Sequence, residues 1–436
     1  MSTLKINEIR CEYKVNPIGI DIEKPRFSWK IDSKARGVRQ ESFAIQVAED
    51  KEFNDLVWNE ERNSEETTNI EYKGQALKAR NRYYYRIKVE SNQGSSGWSQ
   101  PNYFEMGILD HENWQAEWIT PNYDYDPQEY EPVSLLRKEF LVMDKIKKAR
   151  AYVTGLGLYE LRINGKKVGE DYLTPGWTSY NKRVQYQSYD LSDYLVEGSN
   201  AVGMMLGDGW YLGDLMWEDT RNFYGKKRLA LVEIEIEYES GKEIIISDQS
   251  WKSSKSPILM SEIYHGEKYD AGLEKTGWDQ PEFNDFDWHS VKEVEKSKEV
   301  LVAQENTPVR KMMKIDPQEI ITTPAGEKVI DMGQNMVGWL KFKLEGNKGD
   351  KVVLKHAEVL DKEGNFYTDN IRSADQKIEY ILKGEGEEVF EPHFTFQGFR
   401  YVKVVEYPGE INLDDFKGIV LYSDLKQTVD FECSNE

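Results

Sequence analysis

The chain has 436 residues, of which 39% are hydrophobic, including 12 Trp, 26 Tyr and 16 Phe. That is too long for one core, fits roughly two to four domains, and excludes a mainly disordered polymer. With 78 acidic against 57 basic residues the formal charge is −21, which excludes nucleic acid or an anionic membrane as a partner, because their phosphates would be repelled.

Helical periodicity is nearly absent. Short Val-, Ile-, Tyr- and Phe-rich runs recur between Gly, Asn and Asp turns, so the expected fold class is all-β, as three consecutive sandwiches. The first spans residues 1–108. Its runs at 43–48 and 83–89 alternate in and out, and Gly97-Trp98-Ser99 leads into a last strand near Tyr103, a pattern like a fibronectin III or immunoglobulin-like sandwich. Trp98 is expected to plug its core.

The second module spans 109–312. An acidic, aromatic loop occupies 122–132. The run 158–163 meets Asn164-Gly165, a strong hairpin signal because both turn positions take positive φ. A capped turn follows at 190–195, then Gly198-Ser199-Asn200 and a strand. Leu229–Tyr238 alternates, turns at Ser240-Gly241 and returns, and the module closes near Trp288. That order resembles a galactose-binding-like jelly roll, whose end loops hold sugar. The third module, 313–425, is another antiparallel sandwich, expected to be concanavalin-like, and 426–436 is expected to open a further domain.

Cys11 and Cys433 lie at opposite ends and define no disulfide framework. Residues 1–8 lack the apolar run of a leader, and no stretch approaches the ~18 apolar residues of a membrane span, so the expected location is cytoplasmic.

Seven motifs in order resemble bacterial α-L-rhamnosidases. The first module carries Asn16-Pro17-Ile18-Gly19-Ile20-Asp21 and Lys24-Pro25-Arg26-Phe27-Ser28-Trp29. The second carries a run from Leu173-Thr174-Pro175-Gly176-Trp177 to Tyr186, then Leu206-Gly207-Asp208-Gly209-Trp210-Tyr211 and His265-Gly266-Glu267-Lys268-Tyr269-Asp270-Ala271. The third carries Asp331-Met332-Gly333-Gln334-Asn335 and Phe394-Thr395-Phe396-Gln397-Gly398-Phe399-Arg400-Tyr401. The resemblance implies an (α/α)6 catalytic barrel as the partner of these domains and rhamnose-containing glycosides as ligands. In that family paired carboxylates on the barrel invert the glycosidic centre, which needs an acid and a base ~6.5–9.5 Å apart. No catalytic residue is assignable in residues 1–436, so this chain is expected to be inactive alone. Two alternatives are a free-standing carbohydrate-binding protein and a structural partner of a separately encoded barrel.

The strongest candidate site is carbohydrate-binding: Trp177, Tyr180, Asn181, Asp208, Trp210 and Tyr211. Sugars pack their C–H faces on rings and need directional bonds for their hydroxyls. The structural alternative is that Gly207-Asp208-Gly209 is a tight turn and Trp210 fills a core. Related rhamnose-binding modules hold sugar through calcium, so the resemblance implies Asp208, Asp214, Glu218 and Asp219 as possible hard oxygen ligands. His265 and Glu267, two apart on an expected strand, would share a face. With Arg372 they are candidates for contact with the barrel or substrate, although a structural hydrogen bond suits His265 and Glu267 better. His356 and Glu358 sit similarly, with packing the simpler role.

Overall fold

The computed structural model describes residues 4–124, 126, 128–215 and 220–435. Compactness divides them into two units: one runs to Gln115 and adds Leu301–Glu305, the other takes Ala116–Val300 and the residues from Asn306 onward.

In the first unit, strict alternation builds the sandwich. Arg82–Ser91 buries every second residue, sending Tyr83, Tyr85, Ile87 and Val89 inward. It pairs antiparallel with Gln40–Ala48, Gly94–Trp98 and Asn102–Glu105, while Arg26–Asp32 joins Lys5–Cys11 and Ile70–Glu71 in a second sheet. Phe27 meets Tyr85, Phe104 and Trp58 in the core between them. Trp98 departs from expectation: it is 38% exposed with the Arg86 guanidinium 4.7 Å above its ring, and Trp29 and Trp58 fill the core instead. Residues 301–305, placed by sequence in the second module, belong here, with Ala303 N–H donating to Asp21 Oδ2 at 2.7 Å.

The second unit opens with the jelly roll. Leu158–Ile163, Gly198–Gly207, Ser134–Val142 and Lys252–Lys255 form one antiparallel sheet. Leu229–Tyr238, Ile146–Leu156, Val184–Asp190 and Lys242–Ile246 form the facing one. His289–Glu293 pairs with both Lys252–Lys255 and Ile119–Pro121, linking the two. Leu136, Val153, Leu161, Met204, Val232 and Trp251 pack between them, each burial contributing ~1.5–3 kcal/mol. The expected hairpin forms, with Asn164 at φ 50° and Gly165 at φ 82°. Asn164 Oδ1 accepts from Ala201 N–H, and Asn200 Oδ1 accepts from Val196 N–H, which explains why these asparagines flank the turns.

Among the described residues the third sheet has ten strands, centred on the long strand Lys328–Leu344. Its register breaks between Asp331 and Met336, so the Asp331–Asn335 motif is a bulge. Asp331 accepts from Arg400 Nε and Nη2, both at 2.8 Å, and from Gly333 N–H, so two of the family-like motifs are one bidentate clamp. This sheet also crosses the boundary expected at 312. Ile258–Glu262 and Gly266–Asp270 form a ribbon that joins it through the parallel pairing of Gly266–Asp270 with Lys377–Ile381.

That ribbon carries Glu267 into the junction of the two sandwiches. Glu267 is 1% exposed and accepts from His393 N–H, Phe394 N–H and the His393 ring. Truncation would strand these buried donors at a cost of about 2–4 kcal/mol. Glu267→Ala is therefore expected to lower the midpoint of urea unfolding markedly, with Glu267→Gln losing less. Equal midpoints for both variants and the parent would contradict this.

Candidate functional site

Strand Gly198–Gly207 ends at Asp208, and the one-turn helix Gly209–Leu212 follows. Gly209 is required there: its φ is 52°, and a Cβ would sit 2.4 Å from Leu158 Cγ. The turn buries Asp208 to 3% exposure between two guanidiniums. Arg228 Nε donates to Oδ1 at 2.6 Å, and Arg221 Nη2 donates to Oδ2 at 3.1 Å. Both arginines also hold the 122–132 loop. Arg228 donates to Pro132 O and Glu131 O, and Arg221 donates to Glu129 O while lying 4.5 Å over the Tyr130 ring.

Tyr130 OH donates to Asp214 Oδ2 at 2.8 Å, and Asp214 N–H donates to Glu262 Oε1 at 2.7 Å. His265 Nε2 lies 3.5 Å from Asp214 Oδ2, and His265 Nδ1 accepts from Asp375 N–H at 3.3 Å. These groups form a polar nest reaching from the jelly roll to a third-module loop. Burial, with Asp214 beside it, pushes the Glu262 carboxyl up to about 8. Burial alone would raise Asp214 too, but bonds from His265 and Tyr130 hold it below the usual carboxylate value. The bond to Asp214 raises the His265 imidazole.

The six proposed sugar residues separate. Asp208 is locked in the nest. Tyr180 and Tyr211 are buried, meeting edge to face at 5.3 Å, and Tyr180 OH donates to Gly176 O. Trp177 is 52% exposed and lies flat on half-buried Trp210, with ring centres 6.0 Å apart and planes 7° apart. Tyr224 OH lies 3.4 Å from Trp177 Nε1, and exposed Phe223 packs edge-on against Tyr224. Asn181 is exposed nearby in sequence. Thus Trp177, Trp210, Tyr224 and Phe223 make an open aromatic platform, and Tyr180 and Tyr211 support it from below.

Glu218 and Asp219 lie outside the described residues. Asp208 and Asp214 as placed do not fit a calcium ion: two arginines neutralise one, and tyrosine, histidine and arginine surround the other. Among the described residues no group of three or more His, Cys, Asp or Glu side chains could hold a metal ion.

His265 and Glu267 do not share a face. His265 sits in the turn before Gly266–Asp270 and joins the nest, whereas Glu267 enters the sandwich junction. His356 is fully buried against Phe399, with its imidazole pushed down to about 4 by burial, so it is a packing residue. Arg372 is exposed on the loop that Asp375 ties to His265. Sequence reasoning missed Tyr130, Arg221, Arg228, Glu262 and Tyr224. The acidic, aromatic character of 122–132 was a signal for Tyr130, but nothing local marked the arginines.

A family model described as Rha78A-like, N-terminal immunoglobulin domain matches residues 6–110. The α-L-rhamnosidase N-terminal domain matches 144–313, and the bacterial α-L-rhamnosidase concanavalin-like domain matches 321–422. An α-L-rhamnosidase of Formosa agariphila is 34% identical over all of this chain, which covers 49% of that protein. The crystal structure of an Aspergillus terreus α-L-rhamnosidase, 34% identical, superposes with a TM-score of 0.93 over 99% of this chain and 50% of its own. That of a Streptomyces avermitilis α-L-rhamnosidase complexed with L-rhamnose, 27% identical, gives 0.92 over 97% of this chain and 58% of its own. The three folded modules are those of the N-terminal half of α-L-rhamnosidases. The chain belongs to the α-L-rhamnosidase family, and it spans about half the length of the relatives it matches.

Two predictions follow the nest's electrostatics. Asp208→Asn would remove the carboxylate charge that buried Arg228 shares with Arg221, and breaking such a pair costs about 3–5 kcal/mol. A large drop in the thermal midpoint is expected, and an unchanged midpoint would contradict the arrangement. The second concerns pH. Between the usual carboxylate value and about 8, folded Glu262 keeps a proton that the unfolded chain releases. Rising pH therefore costs stability across that window. His265 adds to this trend, because its stabilising protonated form is lost as pH passes its raised value. Asp214 acts oppositely, losing stability only as pH falls through its lowered value. The parent's resistance to denaturation is expected to weaken from pH 5 to 8, and Glu262→Gln to flatten much of that slope. A slope unaltered by the substitution would contradict the assignment.

Proposed function

We propose that this chain is the accessory β-half of an enzyme that hydrolyses terminal, non-reducing α-L-rhamnose from glycosides, and that its role is to scaffold an (α/α)6 catalytic half. The observation carrying this is its likeness to α-L-rhamnosidases along nearly all of its length but only about half of theirs. The carboxylates brought together here support a non-catalytic role: Asp214 and Glu262 are 2% and 0% exposed, and Glu262 Oε1 accepts from the backbone N–H of Asp214. An inverting pair needs ~6.5–9.5 Å and a water between its members.

The aromatic platform suits a further contribution, packing a rhamnose C–H face on Trp177. One face of Trp177 is backed by Trp210, and the residue remains half exposed.

The test is turnover. Purified chain, free of host glycosidase, is expected to release nothing from an aryl α-L-rhamnoside, and hydrolysis is expected to appear on addition of a matching catalytic half. Turnover by the chain alone would overturn the proposal.

A further inference from the structure

A second group of polar side chains, on the third module, is left unused by the nest and the aromatic platform. Three separate segments bring it together. Asn335 stands at the tip of the bulge clamped by Asp331 and Arg400. Glu358 directly follows strand Lys351–Ala357, and Asn370 lies in the single turn Asp369–Ile371. Asn335 Nδ2 donates to Glu358 Oε1 at 3.2 Å, and Asn370 Nδ2 donates to Oε2 at 3.5 Å. Gly398, with no side chain, faces the same carboxylate: a Cβ there would lie 3.4 Å from Oε1.

Arg372 follows in the same loop with φ 57° and ψ −120°. The Ala374 N–H bond to Ile371 O closes a turn around it, so Arg372 occupies the first central position of a type II′ turn, ordinarily a glycine position. An arginine there is strained, and strain of this kind persists where surrounding structure fixes it. The fixing groups are visible. Asp375 N–H bonds to the His265 ring, Gln376 N–H to Tyr264 O and Lys377 N–H to His265 O. The nest thus holds the loop that presents Arg372.

We infer that Asn335, Glu358, Asn370 and Arg372 form a contact site for the hydroxyls of a neutral sugar. The inference rests on the carbohydrate reading of this chain and adds a location apart from Trp177. The chemistry selects the ligand. Within the four residues one carboxylate and one guanidinium balance, and the exposed carboxylates of Asp369 and Asp375 on the same loop disfavour an anion. Two amides, each with donor and acceptor ends, flank the carboxylate, and vicinal hydroxyls both donate and accept. The four residues include no aromatic or large apolar side chain of the sort that anchors a protein interface. Asn335, Asn370 and Arg372 are exposed and reachable.

The test is calorimetric titration of L-rhamnose into the full chain and into Glu358→Gln, Arg372→Gly and Trp177→Ala, with a thermal melt of each. Saturable binding by the parent is expected to weaken at least tenfold in Glu358→Gln and in Arg372→Gly. Arg372→Gly is also expected to melt higher, because glycine relieves the turn, and a merely structural arginine would not combine a gain in stability with a loss of binding. Undiminished binding in both variants overturns the inference. If Trp177→Ala alone abolishes binding, this site falls while the carbohydrate reading stands. If the two variants bind sugar normally but fail to support turnover with a catalytic half, the group docks protein and the inference is wrong. No saturable heat from the parent also overturns it, leaving the scaffold role to the turnover assay.

Discussion

The Asp208 carboxylate between Arg221 and Arg228 is the constraint on which this end of the molecule depends. A buried carboxylate needs counter-charge, and here each arginine that meets it also donates to the backbone of residues 129–132. That anchors Tyr130 over Asp214, and Asp214 in turn engages Glu262 and His265. His265 carries the chain of contacts to Asp375 in the third module. One ion triplet therefore organises a jelly-roll loop, a ribbon between two sandwiches and a strained surface turn.

The third module has a clamp of its own. The bulge within Lys328–Leu344 would be a weak point in a seventeen-residue strand, but Asp331 ties it to Arg400 on the adjoining strand Gln397–Glu406 with two bonds in a fork. The bulge becomes a rigid projection, and Asn335 stands on it. In both places a carboxylate–guanidinium pair fixes irregular backbone that strand pairing leaves free.

The sandwiches and their turns were legible because they are written locally. Period-two burial in Arg82–Ser91 and positive φ at Asn164-Gly165 follow from neighbouring residues alone. The site was only partly legible. Trp177, Tyr180, Trp210 and Tyr211 all read as aromatic loop residues, yet strand register and the course of the loop bury two and expose or half-expose the others. Asp208 read equally well as a sugar or cation ligand, because its arginines lie 13 and 20 residues downstream and no spacing rule joins them. The failure at His265 and Glu267 is of the same kind. Their spacing implied one strand face, but the strand begins at Gly266, which sends the two side chains to different partners. Trp98 failed because an aromatic ring near a strand end packs as readily under an arginine as in a core.

Asp208 holds two distant segments through one connected network. Amide hydrogen exchange on Asp208→Asn, compared with the parent, tests it most directly. The account predicts that residues 129–132 and residues 369–376 lose protection together, while the sheet around Ile330 and Val402 keeps its own. Loss confined to 129–132, or protection unchanged in both segments, would contradict it.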